Sequence, residues 1–414
     1  MKFYLLVVLI LLGFVSTHRI SYDGYKAFRI RPTTISQLKT LSSLSKKPGF
    51  DFWNIPRVIN KSIDVLVAPD LLESFQTYLK TNHIIYHVLI ENYQEVIQIE
   101  NVALKSKRLR EDVSFKKYMT YEQIVNYLKT LAKKYPDIVT VQSIGNTENN
   151  RSIPLIKIST GGSNKPAILI DAGIHAREWI APPVALYTIQ QLVENATNIR
   201  LIQNVDWLIV PVLNPDGYTY TFNNDRLWRK NRSPGRRCYG ADINRNFDFH
   251  WMEGGASAYE CEETYAGSKG FSELEAQALR DFILANSENI KLYLTFHSYG
   301  EYMLYPWGYT SDLPDDEPEL RTLGTAVADA IEKASTIGTS YTIGTSTNVL
   351  YEAAGGSDDW TKGVGGVQLS YTIELPGGGS EGFNPPTRKI LPVVRETWEG
   401  IKLYQAYIEK KFAN

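Results

Sequence analysis

The chain contains six histidines, and one of them, His175, stands three residues before Glu178 in the stretch DAGIHAREWIAPP (171–183). An imidazole and a carboxylate at that spacing suit a metal ion, although a lone pair of this kind is also a frequent chance match. A catalytic zinc takes three nitrogen or oxygen ligands from the protein and leaves a fourth position for water. His297, at the end of the apolar run KLYLTF, supplies a third ligand of the right type far along the chain. Alone it would read as a satisfied core histidine. A short pair plus a distant ligand is how a site is assembled between neighbouring strands.

Glu374 lies inside the apolar run VQLSYTIEL. A carboxylate buried there needs a raised pKa or a partner. It suits a general base that takes a proton from activated water; the bland alternative is a structural carboxylate paired to Lys or Arg. The stretch NNDRLWRKNRS supplies Arg226, Arg229 and Lys230. A guanidinium beside the metal would stabilise the oxyanion formed when water attacks a carbonyl. Asn244 and Arg245, adjacent in GADINRNFD, form a forked donor set that matches a carboxylate. Each arginine taken singly reads as an ordinary surface residue.

These residues need a sheet to hold them. In open α/β sheets, ligands bind in the crevice beyond the carboxyl ends of the strands. AILID runs into His175, Arg177 and Glu178, KLYLTF into His297 and Ser298, DWLIVPVL into NPDG (214–217), and VQLSYTI delivers Glu374. These runs are apolar almost throughout, as strands covered on both faces should be. Between them, TYEQIVNYLKTLAKKYP opens with a capping box (Thr120, Gln123) and sets Ile124, Leu128, Leu131 and Tyr135 on one helix face. SELEAQALRDFILAN repeats the device with Ser272 and Glu275, and ELRTLGTAVADAIEKA and RETWEGIKLYQAYIEKKF read as further helices. Residues 111–414 therefore predict an α/β domain with a mixed central sheet flanked by helices.

Residues 18–104 have a pattern of their own. YKAFRI, SIDVLVAP and IIYHVLI read as strands, TISQLKTLSSLSK and APDLLESFQTYLKTN as helices. That is a small α+β domain of the split-βαβ kind with no chemical signal; His83 and His87 read as structural or surface residues. Between the two domains, residues 105–110 concentrate Lys105, Lys107, Arg108 and Arg110. Charge runs are usually solvated connections, and this one is also a linker that a trypsin-like protease would cut.

The 414 residues allow two to three domains, and 43% hydrophobic with 21% charged residues is ordinary globular usage. Lys plus Arg (44) nearly balances Asp plus Glu (45), which gives no footprint for nucleic acid or an anionic membrane. Residues 1–17 pair Lys2 with an apolar run from Phe3 to Val15. This reads as a secretory signal peptide, too short to span a bilayer, so the mature chain is expected outside the cell. Export permits disulfides, and Cys238 and Cys261 are expected to form one; a two-Cys zinc site lacks the usual close spacing. Asn60, Asn150, Asn195 and Asn231 begin N-x-S/T sequons.

Seven ordered motifs carry a family resemblance: HAREW (175–179), NPDGY (214–218), RLWRKNR (226–232), ADINRNF (241–247), FHSYG (296–300), LYEAAGGSDDW (350–360) and TIEL (372–375). They resemble the zinc metallocarboxypeptidases of the pancreatic, funnelin type, over the whole of the second domain. The first domain resembles that family's inhibitory activation segment. The resemblance implies one zinc bound by His175, Glu178 and His297, with Asp242 orienting His175. It implies Glu374 as general base and then proton donor, and Arg229 polarising the scissile carbonyl. Asn244, Arg245 and Tyr351 would clamp the free carboxylate of a peptide C-terminus, and Arg177, Ser298 and Tyr299 would line further subsites. Cys238 and Cys261 match the family's bridge. Asp358 falls at the specificity position, where an acid goes with release of Lys or Arg (B-type) and an apolar residue with aromatic or aliphatic ends (A-type). The small Ser346 lies near that pocket by the same resemblance. A secreted, monomeric, digestive-type zymogen activated by a trypsin-like protease is the implied whole. A non-catalytic peptide-binding relative would lack a ligand or the base, and every motif position is present.

Overall fold

The computed structural model describes residues 19–45, 47–54, 59–105 and 113–413. The expected signal peptide and nearly all of the basic linker lie outside the described residues.

The first domain holds strands β1 (Lys26–Arg31), β2 (Phe50–Phe52), β3 (Ile63–Val67) and β4 (Ile85–Ile90) in an antiparallel sheet of order β2-β3-β1-β4. Helices α1 (Ile35–Leu44) and α2 (Leu72–Thr81) cover one face, and α3 (Tyr93–Lys105) leads toward the second domain. Side chains alternate across a strand, and here both faces are used. Phe28, Ile30, Ile63, Val65 and Val67 join Leu41 of α1 and Phe75 and Leu79 of α2 in one core. The alternate residues Ala27 and Leu66 pack with Trp53 and Tyr93 against Leu227 and Phe383 of the second domain. One face thus builds the domain and the other docks it.

The second domain is built on an eight-stranded sheet of order β11-β10-β12-β9-β7-β8-β6-β5. In chain order these are β5 (Val139–Asn146), β6 (Ser152–Ile158), β7 (Ala167–Ala172), β8 (Asp206–Val210), β9 (Ile290–Ser298), β10 (Tyr302–Tyr305), β11 (Thr342–Thr345) and β12 (Leu369–Leu375). The central run β12-β9-β7-β8 is parallel, whereas β6, β5 and β10 add antiparallel pairings, so the sheet is mixed. Apolar runs in the sequence correspond to those four central strands. Among the outer strands, β10 and β11 have four residues each and β5 has a single buried position, Val139, whereas β6 is seven residues long and mostly buried.

The helices are α4 (Tyr121–Lys134), α5 (Ala181–Val193), α6 (Pro215–Asn223), α7 (Leu274–Asn286), α8 (Glu317–Ala334), α9 (Ser346–Val349), α10 (Ser357–Gly363) and α11 (Ile390–Phe412). α4, α5, α8 and α11 close one face over Ile168, Ile170, Leu292 and Leu294. α7 and α10 close the other over Leu169, Tyr293 and Leu208. Among the described residues no helix is long and apolar enough to cross a membrane.

Two local expectations need attention. The Thr120–Gln123 capping box is present on α4. The one expected at Ser272–Glu275 is not: α7 begins at Leu274, with Glu273 at the cap position and no side-chain cap. Ser272 Oγ instead donates to Glu273 Oε1 at 2.6 Å, and Glu275 is buried, accepting from Asn231 Nδ2 at 2.9 Å. The same amide donates to Glu273 at 2.7 Å, so the Asn231 sequon is enclosed in the fold while Asn60 and Asn150 are exposed. Cys238 and Cys261 are bridged, with Cα atoms 5.1 Å apart.

Burial pushes the Glu275 carboxyl up from 4.5 to about 7, only partly offset by Asn231. A raised acid stabilises the fold in its protonated form, fully below its unfolded pKa, and loses that contribution as pH rises through 7. Glu275→Gln keeps an acceptor for Asn231 and removes the titration. The variant is expected to gain stability over the parent as pH rises from 5 to 8, by up to about 3 kcal/mol, read from urea midpoints at each pH. A parent and variant with parallel pH curves would contradict this.

Candidate active site

The chain leaves β7 through Gly173, whose φ of +66° suits a residue without a side chain. This sharp exit swings His175 to Glu178 over the carboxyl edge of the sheet. Asn214 ties the exit down: its side chain caps α6 through the Gly217 N–H and donates to the carbonyls of Ile174 and Lys230, both at 3.1 Å. The Ala176 N–H also donates to the Arg229 carbonyl at 2.9 Å. The loops carrying His175 and Arg229 are thereby stapled together. His297 sits at the end of β9, and in the parallel pairing of β9 with β12 its register partner is Glu374.

His175, Glu178 and His297 are all buried, and a potential ligand atom from each lies within 4.8 Å of the others. His175 Nδ1 is 2.9 Å from Glu178 Oε1 and 3.0 Å from His297 Nδ1, and His297 Nδ1 is 3.3 Å from Glu178 Oε2. Two ligands of a tetrahedral zinc, each ~2.1 Å from the ion, are ~3.4 Å apart. The donor set therefore fits: two imidazole nitrogens and a carboxylate converge at the separations a single ion needs. Burial raises Glu178, but His175 and His297 outweigh it and hold the carboxyl well below its usual range. Burial, with Arg229 nearby, lowers His175. Outside the cluster, His175 Nε2 is 3.0 Å from Asp242 Oδ1. Asp242 Oδ2 accepts Nε and Nη2 of Arg229 at 3.1 and 2.9 Å, and Arg229 Nη1 approaches Glu178 Oε1 at 3.6 Å.

Glu374 opens onto the same cavity as His175, Glu178 and His297. It makes no hydrogen bond or ion pair with another described residue, so the Lys or Arg partner of a purely structural carboxylate is missing. Burial pushes its carboxyl up to about 7 against the pull of His297 and Arg229. Across the cavity, Arg245 donates Nε to the Gly255 carbonyl at 3.0 Å and Nη1 to the Asn244 carbonyl at 2.7 Å. Asn244 Oδ1 accepts the Ser357 N–H at 2.8 Å. Arg245 Nη2 and Asn244 Nδ2 remain without a described partner, two donors on the wall of one cavity. The ring of Tyr351 stands 5.9 Å from the Arg245 guanidinium.

Asp358, in the first turn of α10, lines this cavity and is only 5% exposed. Its carboxylate has no hydrogen-bond or salt-bridge partner among the described residues. Its neighbour Asp359 is bound by the N–H groups of Gly308 and Tyr309, at 2.9 and 3.1 Å. Ser346 lines the cavity too.

The remaining expected residues lie at the junction with the first domain. Arg177 Nη1 donates to Asp51 Oδ2 at 2.9 Å, and its guanidinium stacks 4.2 Å from the Phe383 ring. Tyr299 donates its hydroxyl to Asp64 Oδ2 at 3.0 Å, while Asp64 is gripped by Arg29 at 2.7 and 2.8 Å. Ser298 contributes its backbone N–H to Glu178 Oε2 at 3.1 Å. Trp53 and Asn54 of the first domain line the cavity itself. Further back, Glu100 accepts Nε and Nη2 of the buried Arg226 at 2.6 and 3.0 Å and the Asn384 amide at 2.9 Å. Asp51, Trp53, Asp64 and Glu100 carry no motif and could not be singled out in the sequence. Asp64 alone leaves a trace, an acid inside the apolar run SIDVLVAP.

A mixed sheet that gathers two imidazoles and a carboxylate at its parallel centre, beside a half-buried glutamate with no partner among the described residues and an Asn–Arg fork, defines a metallopeptidase. Residues 124–400 match the zinc carboxypeptidase family, and residues 28–100 match the carboxypeptidase activation peptide. Carboxypeptidase B of Astacus astacus is 48% identical over 300 residues, covering 72% of this chain and 98% of that protein. Carboxypeptidase B of Helicoverpa zea is 39% identical over 97% of each chain. The crystal structure of carboxypeptidase A from Helicoverpa armigera superposes with a TM-score of 0.88 at 35% identity, covering 94% of this chain and 98% of that one. The chain belongs to the zinc carboxypeptidase family. It is a zinc-dependent peptide hydrolase made as a zymogen with an activation segment. Its relatives' names divide between B and A.

Removing Glu100 would leave the Arg226 guanidinium buried and unpaired, at a cost of about 3–5 kcal/mol. Glu100→Ala is expected to loosen the first domain, seen as faster limited proteolysis of the uncut chain and a lower urea midpoint. A variant as resistant as the parent would show that the pair does not hold the domains together.

Proposed function

We propose that this chain is the secreted precursor of a monomeric carboxypeptidase that removes Lys or Arg from peptide C-termini. The observation that carries the specificity is the buried, unpaired Asp358 carboxylate on the wall of the cavity. A buried charge without a partner is costly, and a cationic side chain entering the pocket supplies the partner; an apolar one leaves the charge unpaired.

His175, Glu178 and His297 hold the zinc, with Asp242 keeping the His175 ring in place. When bound, the ion would act as a Lewis acid and would make a nearby water easier to deprotonate. Asn244 and Arg245 grip the substrate's terminal carboxylate through their two free donors, joined by Tyr351, which restricts the enzyme to chain ends. Arg229 faces the carbonyl oxygen as charge builds on it. Glu374 takes the proton of the attacking water and passes it to the leaving amine; the pKa raised by burial suits a group that must both accept and return a proton near neutrality. Arg177, Ser298 and Tyr299 contact residues further along the peptide.

In the precursor, residues 18–104 keep substrate out. Trp53 and Asn54 sit on the cavity, and Asp51 and Asp64 engage Arg177 and Tyr299. A trypsin-like protease cutting in 105–110 frees the catalytic unit, 111–414, after the signal peptide 1–17 has directed export.

Glu374→Gln is expected to bind zinc at full stoichiometry while activity falls by at least ~10²-fold; near-normal turnover would remove its role as base. Blocked dipeptides ending in Arg and Phe, given to the trypsin-treated protein with and without a chelator, test the specificity. The Arg substrate should dominate, the chelator should abolish both, and Asp358→Ile should shift preference toward Phe. A parent that prefers Phe, or a variant with unchanged preference, would overturn the B-type reading.

A further inference from the structure

His297 has an outward side as well as an inward one. Its Nδ1 faces His175 and Glu178, and its Nε2 is 3.0 Å from Thr295 Oγ1. Thr295 Oγ1 is in turn 2.9 Å from Asp171 Oδ1, and Asp171 Oδ2 accepts the hydroxyl of Tyr293. The sheet sets this up. Tyr293, Thr295 and His297 alternate along β9, and Asp171 on the adjacent β7 is the register partner of Thr295. Asp171, Thr295 and Tyr293 are fully buried.

The protons in this chain can be assigned by counting. An ionised carboxylate only accepts, and a hydroxyl has one hydrogen to donate. Asp171 faces two hydroxyls, Tyr293 at Oδ2 and Thr295 at Oδ1, and serves both as an acceptor. Were Thr295 to donate to His297 instead, two acceptors would face each other at 2.9 Å between Thr295 and Asp171. Thr295 therefore donates to Asp171 and accepts from His297, which places a hydrogen on Nε2 and turns Nδ1 toward Glu178 and His175.

We propose that Asp171 and Thr295 are positioning residues that fix the tautomer and ring orientation of His297 for metal binding, the counterpart of Asp242 on His175. The hydroxyl is a relay: it carries the hold of a carboxylate across two strands to a ring the carboxylate does not touch. This inference rests on His297 being a zinc ligand. Partners of this kind change metal affinity by ~10–100-fold when removed.

The test uses the full chain, stripped of metal and then titrated with zinc against a competing chelator. Thr295→Val, which keeps the shape and loses the hydroxyl, and Asp171→Asn are each expected to raise the zinc Kd by ~10–100-fold. Thr295→Ser, which restores the hydroxyl, should bring the Kd back to within about threefold of the parent, a rescue that a packing role for the threonine methyl would not produce. A Thr295→Val Kd equal to the parent's, or a serine variant as weak as the valine one, would overturn the relay. His297→Ala is the control: if it bound zinc as tightly as the parent, the ligand assignment would fail, and the relay with it. Weakened binding in His297→Ala with unchanged binding in Thr295→Val would sink the relay alone.

Discussion

The structure depends on bringing two imidazoles and a carboxylate, all buried, to within about 3 Å of each other. No pair of them is stable there without a proton or a cation between, since lone pairs and a negative charge converge. The parallel centre of the sheet makes the convergence. β7 and β9 run side by side and end at the same edge, one turning abruptly at Gly173 to present His175 and Glu178, the other presenting His297. β12, next to β9 in matched register, brings Glu374 to the same edge. The glutamate is a neighbour of the ligands by strand pairing and a member of the site by position.

Around the cluster, charge is balanced by a second ring of groups. Asp242 accepts from both His175 and Arg229, which links the first proposed ligand to the proposed oxyanion donor through a single carboxylate. The Gly355 turn comes so close to the Arg245 carbonyl that an added Cβ would lie 2.4 Å from it. Together with the bond from the Ser357 N–H to Asn244, that contact holds the helix carrying Asp358 beside the proposed carboxylate fork. The proposed specificity residue and the proposed fork thus share one piece of backbone.

The activation segment uses the alternation of its strands twice. Ile63, Val65 and Val67 point into its own core, while Asp64 and Leu66 between them point at the catalytic unit. Its acids meet arginines and a tyrosine that the catalytic unit would otherwise offer to substrate or solvent. Asp51 meets Arg177, Asp64 meets Tyr299, and Glu100 meets Arg226. Trp53 packs edge-on against Phe383 and Tyr299, at ring separations of 5.5 and 6.2 Å. The result is a plug whose own core does not depend on the surface it covers.

Much of this was legible in the chain itself. Unbroken apolar runs marked the four central strands because both of their faces are buried, and His175, Glu178, His297 and Glu374 stood out as polar residues at or inside those runs. Asp171 carried the same signal in AILID, yet strand spacing alone does not say that Thr295 would lie opposite it. Short length hid β10 and β11 and surface exposure hid β5, and the helix cap expected at Ser272 gave way to a buried amide, Asn231, reaching Glu273 and Glu275 from another loop. Local order and residue chemistry travel along the chain, so the sequence alone determined the central elements and the candidate ligands. Which acid meets which arginine, which way an imidazole hydrogen points, and that Asp358 is left buried without a partner were decided only in three dimensions, because each depends on side chains separated by tens to hundreds of residues that meet only when the sheet and the two domains pack.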